Sequence, residues 1–421
     1  MNRVSVFLSF LFIVFILSGC SKSDDCNIPK IEEKWPVVNT DSIFIDLNNS
    51  ILEKKRKQID ALVEKTRRAT NLNGTVLYAE NGRIVYERAI GYNDLRYRGK
   101  KKPLKINDVF QISSDSKMFT AEAVLMLVQQ GLIDLNADIR TYIPEWPYEG
   151  ITTRHLLNHR SGLSRYETLA DEKWRDKKIP LTNELMIGLY VKYKPSPYFK
   201  PDNGFHYCNI NYALAASVVE RVTKKKFGDF VDENIFKPLS MDSSFVYMMN
   251  PDTTVPTYFP RGIQGHYIRK RTRFAENEYL NGVTGDKMVF TNVEDMLLFN
   301  NAIDYGLLLP DSTQKMMFEP GSTKRRKNAD NYGLGWRISG KHKGCAFHYG
   351  WWKGYRSMVL RDNVHNRLLV LLTNTDKGAN SENFWKILCD IKTEIPKSSV
   401  NISYLETKNG CRFPNSGYRN R

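Results

Sequence analysis

The chain has 421 residues, of which 41% are hydrophobic, and its 62 basic and 46 acidic side chains give a formal net charge of +16. That hydrophobic fraction excludes an intrinsically disordered chain and predicts a globular protein with a core of its own. The surplus positive charge is scattered in short clusters at 98–102, 269–273 and 324–327. Since no zinc-finger spacing or basic recognition helix accompanies them, they predict solvated loops and argue against a nucleic-acid partner.

The N-terminus has the pattern of an export signal. A positive segment, Met1–Arg3, precedes an apolar stretch over 4–17 that is too short to span a bilayer comfortably. The stretch ends in Leu17-Ser18-Gly19-Cys20, which resembles the lipobox of bacterial lipoproteins, where the cysteine is acylated. We therefore predict a signal peptide over 1–19, a lipid anchor on Cys20 and an extracytoplasmic address, facing either the periplasm or the cell surface.

Cysteine usage gives no sign of a metal centre. Six cysteines occur, at positions 20, 26, 208, 345, 389 and 411. Their spacing fits neither a disulfide framework nor a zinc site, so the sequence predicts no metal and no other cofactor.

The first folded elements after the predicted tether (20–50) are a helix and a hairpin. Ser50 and Glu53 form a capping box for a helix that runs to about residue 68. Two β-rich runs, 74–79 and 84–91, flank Asn81-Gly82, a dipeptide typical of tight hairpin turns.

The middle and last parts of the chain differ in their signals. A helix is predicted over 115–130, and Gly131 ends it. The segment 136–284 is mixed, with helical patches near His155 and over 213–222. Three strands, over 333–339, 357–360 and 368–372, and a last helix over 381–391 close the pattern.

This order of elements predicts an α+β fold, an α/β sandwich in which helices flank an antiparallel sheet, with a mostly helical insertion. We expect one hydrolase-sized domain over 51–398, with the helical subdomain at about 136–284. The remainder, 399–421, is interpreted as a C-terminal tail.

The strongest chemical signal is Ser114-Asp115-Ser116-Lys117 at the start of the 115–130 helix. Three residues make nearly one helical turn, so the hydroxyl of Ser114 and the amine of Lys117 should lie side by side. The helix N-terminus favours negative charge that develops near the serine. A second S-x-x-K, Ser312 to Lys315, lacks the preceding apolar run and is interpreted as an ordinary helix start. Asp115 is interpreted as a first-turn acid rather than a catalyst.

From about 74 to 375 the chain resembles the class C β-lactamase and DD-peptidase relatives, often called β-lactamase-related serine hydrolases, and the resemblance implies a β-lactamase/transpeptidase-like fold. Chance explains any one motif, whereas the ordered set is specific. The matching segments, in chain order, are 111–120 (nucleophile segment), Ile151–Leu163 (similar to "ITIRHLLTHTSGL"), Tyr207-Cys208-Asn209 (Y-x-N), 236–241 ("PLGM"), Gly285-Asp286 with 291–295, His348-Tyr349-Gly350 (the third motif, K-T-G or H-x-G) and 371–374 ("LLTN").

The resemblance implies a division of labour among these residues. Ser114 would attack a carbonyl and become acylated, and Lys117 would accept or relay its proton. Tyr207 would protonate the leaving group and later activate water. Asn209 would position the substrate amide or the Lys117 amine.

The third motif supplies the rest of the implied site. The N–H groups of Ser114 and of Trp351, which follows Gly350, would form the oxyanion hole. His348 would stand in the place of the family's lysine, orienting Tyr207 and contacting a substrate carboxylate. His155 and His159 are expected to form hydrogen bonds only within their own segment.

Two departures from the family pattern bear on the substrate. His348 replaces a lysine, and Tyr349 replaces a small threonine and should add bulk beside the nucleophile. Both argue against an efficient β-lactamase, whereas H-x-G occurs among DD-carboxypeptidases, D-aminopeptidases and esterases of the family. We therefore expect a serine hydrolase that acts through an acyl-enzyme on D-residue peptides, such as cell-wall stems, or on small esters or amides. The alternatives are a true β-lactamase and a non-catalytic lipoprotein that binds peptidoglycan.

Overall fold

The computed structural model describes residues 50–322, 329–378 and 382–391, together with two short paired strands, β1 (Val37–Val38) and β14 (Ile402–Ser403). The predicted signal peptide, the lipidation site Cys20 and nearly all of the predicted tether and tail lie outside the described residues. Within the described part, no helix combines the length and apolarity needed to cross a bilayer.

The N-terminal elements agree with the sequence pattern. In order they are helix α1 (Ser50–Thr70), strands β2 (Gly74–Glu80), β3 (Arg83–Ile90) and β4 (Phe110–Gln111), a 3₁₀ turn (Ser113–Asp115) and helix α2 (Ser116–Gln129). Asn81 and Gly82 both adopt positive φ angles, 50° and 77°, as the tight hairpin turn between β2 and β3 requires. The hairpin prediction is therefore confirmed.

The central region is rich in helices and contains only short strands. Its elements are α3 (Thr153–Leu157), α4 (Tyr166–Lys173), α5 (Asn183–Tyr193), α6 (Asn209–Thr223), α7 (Phe227–Val231), a π-helical turn (Asp232–Phe236), and strands β5 (Phe245–Val246), β6 (His266–Tyr267) and β7 (Arg273–Phe274).

The C-terminal region returns to the sheet and corrects two predictions. It comprises β8 (Val289–Thr291), α8 (Val293–Tyr305), α9 (Asp311–Met316), β9 (Asn331–Tyr332), β10 (Arg337–Ile338), β11 (Cys345–Trp352), β12 (Tyr355–Asp362), β13 (Arg367–Thr373) and α10 (Glu382–Asp390). The single strand predicted over 333–339 is wrong, because Gly333 donates to Trp336 in a turn between β9 and β10. Strand β11, which holds the third motif, was not predicted as a strand.

The main sheet has seven antiparallel strands in the order β3-β2-β13-β12-β11-β10-β9. Side chains alternate between its faces, so Val76 and Tyr78 pack with residues of α1 and α10, while Leu77 and Ala79 pack with the cluster that contains α2 and α8. Helices on both faces of an antiparallel sheet, with a helical region beside it, are the predicted architecture.

Helix α2 runs through the core between the sheet and the central helices. Its side chains from Ser116 to Leu127 are all buried, including the charged Lys117 and Glu122. Burial raises the pKa of the Glu122 carboxyl to about 8, against smaller opposing effects of Gln314 and Arg361. The helix that carries the S-x-x-K motif is thus held from all sides.

Because of this raised pKa, the protein should become less stable as the pH rises. The folded protein keeps a proton on Glu122 that the unfolded chain releases above its ordinary pKa, so the free energy of unfolding falls as pH rises from 4.5 to about 8. The contribution is about 1.4 kcal/mol per pH unit across that window. Glu122→Gln should remove it, so the variant should gain stability over wild type as pH increases. Urea unfolding at pH 5, 6.5 and 8 tests this, and identical pH profiles would contradict it.

Candidate active site

The turn that carries Ser114 is pressed closely against the central sheet. Ser113, just before it, adopts a positive φ of 52°, which is unusual for a residue other than glycine. The Ser357 hydroxyl of β12 donates to the Ile112 carbonyl at 2.7 Å. A Cβ at Gly350 would lie 2.3 Å from the same carbonyl oxygen and 2.0 Å from the Ser357 hydroxyl. Only glycine therefore permits this approach, which is a physical reason for the glycine of the third motif.

The Lys117 amine is fully buried and contacts oxygens from three segments. Its Nζ lies 3.2 Å from Ser114 Oγ, 2.9 Å from Asn209 Oδ1 and 2.6 Å from the Asp286 carbonyl oxygen. The Asn209 oxygen and the Asp286 carbonyl thereby hold the amine against the serine hydroxyl.

Tyr207 lies over this amine. Its ring centroid is 5.1 Å from Lys117 Nζ and 4.8 Å from the guanidinium carbon of Arg337 on β10. Among the described residues its buried hydroxyl has no hydrogen-bond partner. A buried hydroxyl without a partner is suited to bind a group that enters the site.

His159 supports Tyr207 instead of serving only its own segment. The two ring centroids are 4.3 Å apart, and His159 Nδ1 lies 3.0 Å from Asn211 Nδ2 and 3.3 Å from the Cys208 amide. Burial and the nearby Lys117 charge hold the pKa of His159 well below its usual range, so the ring is neutral. The expectation for His159 is corrected, whereas His155 does form a capping box with Thr152 of its own segment.

Asn209 opens helix α6 and bridges two charged side chains. Its oxygen accepts from Lys117, and its Nδ2 donates to Glu167 Oε1 at 2.6 Å. The second Glu167 oxygen is buried and unpaired among the described residues. Glu167 on α4 thereby fixes the orientation of the Asn209 amide, so that its oxygen faces the amine.

His348 lies in the middle of β11 and has neither ring nitrogen free. Nδ1 lies 2.9 Å from Asp115 Oδ1, Nε2 lies 2.9 Å from the Tyr332 hydroxyl, and the ring is fully buried. The geometry therefore leaves His348 without a free donor for a substrate carboxylate, and its ring centroid is 6.1 Å from that of Tyr207. Asp115 is likewise fully buried, in the 3₁₀ turn that leads into α2.

Alternation along β11 sends Tyr349 to the other face of the sheet. Its hydroxyl accepts from Trp385 Nε1 of α10 at 3.0 Å, so it adds no bulk beside Ser114, and that expectation is wrong. Trp351 is 64% exposed. Trp352 is the tryptophan near the buried charges, with Lys287 Nζ 4.9 Å from its ring centroid and its Nε1 donating to Asn281.

The fold thus gathers Ser114, Lys117, Tyr207 and Asn209, with β11 alongside. The interpretation of the sequence missed four side chains that complete the cluster: Asp115, His159, Glu167 and Arg337. Asp115 and His159 lie inside segments already noted, but no local pattern distinguishes Glu167 or Arg337. Among the described residues, no group of three or more His, Cys, Asp and Glu side chains forms a metal-binding cluster.

This fold is that of the β-lactamase and transpeptidase-like serine hydrolases. The chain belongs to the Beta-lactamase family, whose sequence profile matches residues 59–388. It is 30% identical over 340 residues to Penicillin-binding protein 4* of Bacillus subtilis, covering 78% of this chain and 74% of that protein.

Solved structures agree on the fold. A penicillin-binding protein from Bacillus halodurans superposes with a TM-score of 0.64 at 21% identity, covering 78% of this chain and 97% of its own. The D-amino acid amidase from Ochrobactrum anthropi SV3 gives 0.63 at 24% identity, covering 76% and 91%.

The buried His348 predicts a loss of stability in acid. Burial lowers the pKa of His348 from 6.5 to about 4, although Asp115 opposes this shift. Between these values the folded protein binds fewer protons than the unfolded chain, so the free energy of unfolding falls as pH drops, by about 3 kcal/mol in total. His348→Gln should flatten this acid dependence in denaturant titrations from pH 7 to pH 4.

A matched control is available just after β12. There the exposed His365 has its Nδ1 2.8 Å from Oδ2 of Asp362. His365→Gln should keep the wild-type acid profile. If both variants behave alike, the buried His348 is not the group responsible.

Proposed function

We propose that this protein hydrolyses peptides containing D-residues, or small esters and amides, through an acyl-enzyme on Ser114. The observation that carries the proposal is the contact of Lys117 Nζ with Ser114 Oγ at 3.2 Å, beneath the ring of Tyr207. A nucleophile within hydrogen-bond reach of a base that is oriented by a third group is the arrangement that nucleophilic catalysis needs. Asn209 and the Asp286 carbonyl provide that orientation.

Acylation begins with proton transfer. The lone pair of Lys117 accepts the Ser114 proton while the serine oxygen attacks the substrate carbonyl carbon. The carbonyl oxygen becomes negative and is stabilised by the N–H groups of Ser114 and Trp351, at the start of α2 and near the end of β11. Such a donor is typically worth on the order of 10² to 10³ in rate.

Tyr207 completes the cycle. Its hydroxyl, which has no other described partner, passes a proton to the leaving amine or alcohol and releases it. In the second half-reaction it takes a proton from water, which attacks the acyl carbonyl, and Lys117 returns its proton to the Ser114 oxygen as that oxygen leaves. Lys117 Nζ and the Arg337 guanidinium carbon lie beside the ring, 5.1 and 4.8 Å from its centroid.

The substrate class is drawn from the third motif and from the relatives. H-x-G at 348–350 is the form that accompanies D-peptidases and esterases, and one structural neighbour is a D-amino acid amidase. A true β-lactamase is the second candidate, favoured by the match of residues 59–388 to the Beta-lactamase family. A non-catalytic peptidoglycan-binding protein is the third, and the intact Ser114, Lys117, Tyr207 and Asn209 speak against it.

Covalent labelling tests the nucleophile and separates these candidates. A fluorophosphonate and a fluorescent penicillin are each incubated with the purified protein, and the adduct is measured by mass spectrometry. We expect fluorophosphonate label on wild type and none on Ser114→Ala. Ser312→Ala, at the second S-x-x-K, should keep the label because Ser312 and Lys315 are exposed on α9.

The two probes have distinct outcomes. Label by both probes indicates a penicillin-recognising site, and turnover of the penicillin indicates a β-lactamase. Label by the phosphonate alone indicates a peptidase or esterase, which a panel of D-alanyl-D-alanine peptides, D-amino acid amides and nitrophenyl esters would then resolve. Absence of label from wild type with both probes would overturn the enzymatic proposal.

We also propose that the mature protein is anchored to a membrane by lipid on Cys20. The support is the lipobox at 17–20 after an apolar stretch of signal-peptide length.

Metabolic labelling tests the anchor. Cells fed an alkyne fatty acid should incorporate it into wild type but not into Cys20→Ser, because acylation needs the cysteine thiol. Cys26→Ser, six residues away, should still be labelled and should still partition into the detergent phase of Triton X-114. Equal labelling of wild type and Cys20→Ser would contradict the proposal.

A further inference from the structure

Two buried residues from distant parts of the chain meet beside the proposed nucleophile. Asp115 directly follows Ser114, and His348 stands in the place of the third-motif lysine. They are 233 residues apart in sequence, yet Asp115 Oδ1 and His348 Nδ1 are separated by 2.9 Å. Both side chains are fully buried. The two residues therefore form one contact between the nucleophile turn and β11.

The contact fixes the protonation pattern of the imidazole. With the pKa of His348 lowered to about 4, the ring is neutral near pH 7 and carries one N–H. The carboxylate of Asp115 can only accept, so the proton is on Nδ1, and Nε2 accepts from the Tyr332 hydroxyl. The His348 imidazole thus connects the turn that carries Ser114 with strands β11 and β9.

The position of this contact relative to Ser114 gives it a function. The Ser357–Ile112 hydrogen bond holds the nucleophile turn to the sheet two residues before Ser114, and the Asp115–His348 contact holds it one residue after. On the strand side, His348 lies three residues before Trp351, whose N–H is the proposed oxyanion donor. The two contacts bracket the serine and set its distance from β11.

We propose that Asp115 is a positioning residue, which through His348 holds Ser114 and the oxyanion strand β11 in register for attack on the substrate carbonyl. This inference rests on the proposed function of Ser114. Reaction rates depend steeply on such placement, since a displacement of about 1 Å can cost about 10²-fold. The same contact could instead serve stability alone, and the experiment separates the two roles.

The main variant is Asp115→Ser, which removes the contact with His348. Asp115 is the N-cap residue of α2, where serine is well tolerated, and the serine side chain is too short to reach His348. Asp115→Asn is the conservative variant, because its amide oxygen can still accept from Nδ1–H. His348→Leu removes the same contact from the strand side, so the test survives if one variant does not fold.

We would measure the rate constant for acylation of Ser114 by a nitrophenyl ester in single-turnover experiments. The number of active sites is determined by titration with fluorophosphonate, and each rate is expressed per active site. We expect Asp115→Ser to lower this constant about tenfold or more at saturating ester, with half-saturation changed less than about threefold. Asp115→Asn should recover most of the rate. The double variant Asp115→Ser/His348→Leu should lower the rate constant no more than the slower of its two single variants, because both substitutions remove the same interaction.

Glu122→Gln provides the matched control, since it removes another fully buried carboxyl group, from the helix that follows Asp115. It should react at the wild-type rate per titrated site. If wild type itself is not labelled, the proposed function has failed. If wild type is labelled and Asp115→Ser or His348→Leu reacts at the wild-type rate per site, the positioning role is overturned while the proposed function stands.

Discussion

The burial of one amine constrains how the site can be assembled. Lys117 is enclosed in the core, where an unpaired polar group costs several kcal/mol, on the order of 2–7. Its oxygen partners come from its own helix, from the start of α6 and from the segment before β8. Those three segments must therefore be in place together for the buried amine to be satisfied. The nucleophile, the amide of Asn209 and the Asp286 carbonyl are ordered by the same requirement.

Around Lys117, most of the other charged side chains have ion-pair or hydrogen-bond partners. Asp286 Oδ2 pairs with Lys287 and accepts from Tyr166, while Glu167 holds Asn209. Arg337 is the exception, because its buried Nε has no partner among the described residues. On the side of α4 and α6 the charged side chains are therefore hydrogen-bonded, whereas on the side of β10 the Arg337 guanidinium lies over the rings of Tyr207 and Tyr332.

Sequence patterns predicted the elements whose signals are local. The hairpin at Asn81-Gly82, helix α2 and the convergence of the S-x-x-K and Y-x-N segments follow from turn chemistry, helical spacing and family resemblance. Strand β11 was not predicted because its eight residues, Cys345–Trp352, do not alternate in polarity. Without its register, neither the contact of His348 with Asp115 nor the turning of Tyr349 toward α10 can be inferred. Glu167 and Arg337 enter the site through tertiary packing, which no local pattern encodes.

The pairing of β2 with β13 has a consequence for folding order. The two strands pair from Gly74↔Thr373 to Glu80↔Arg367, so neighbouring strands of the sheet come from residues about 300 positions apart. The hairpin of β2 and β3 therefore has one edge unpaired until the helical region and the last strands are available. Folding of this kind has a high contact order and is slow, and the unpaired edge is open to wrong partners.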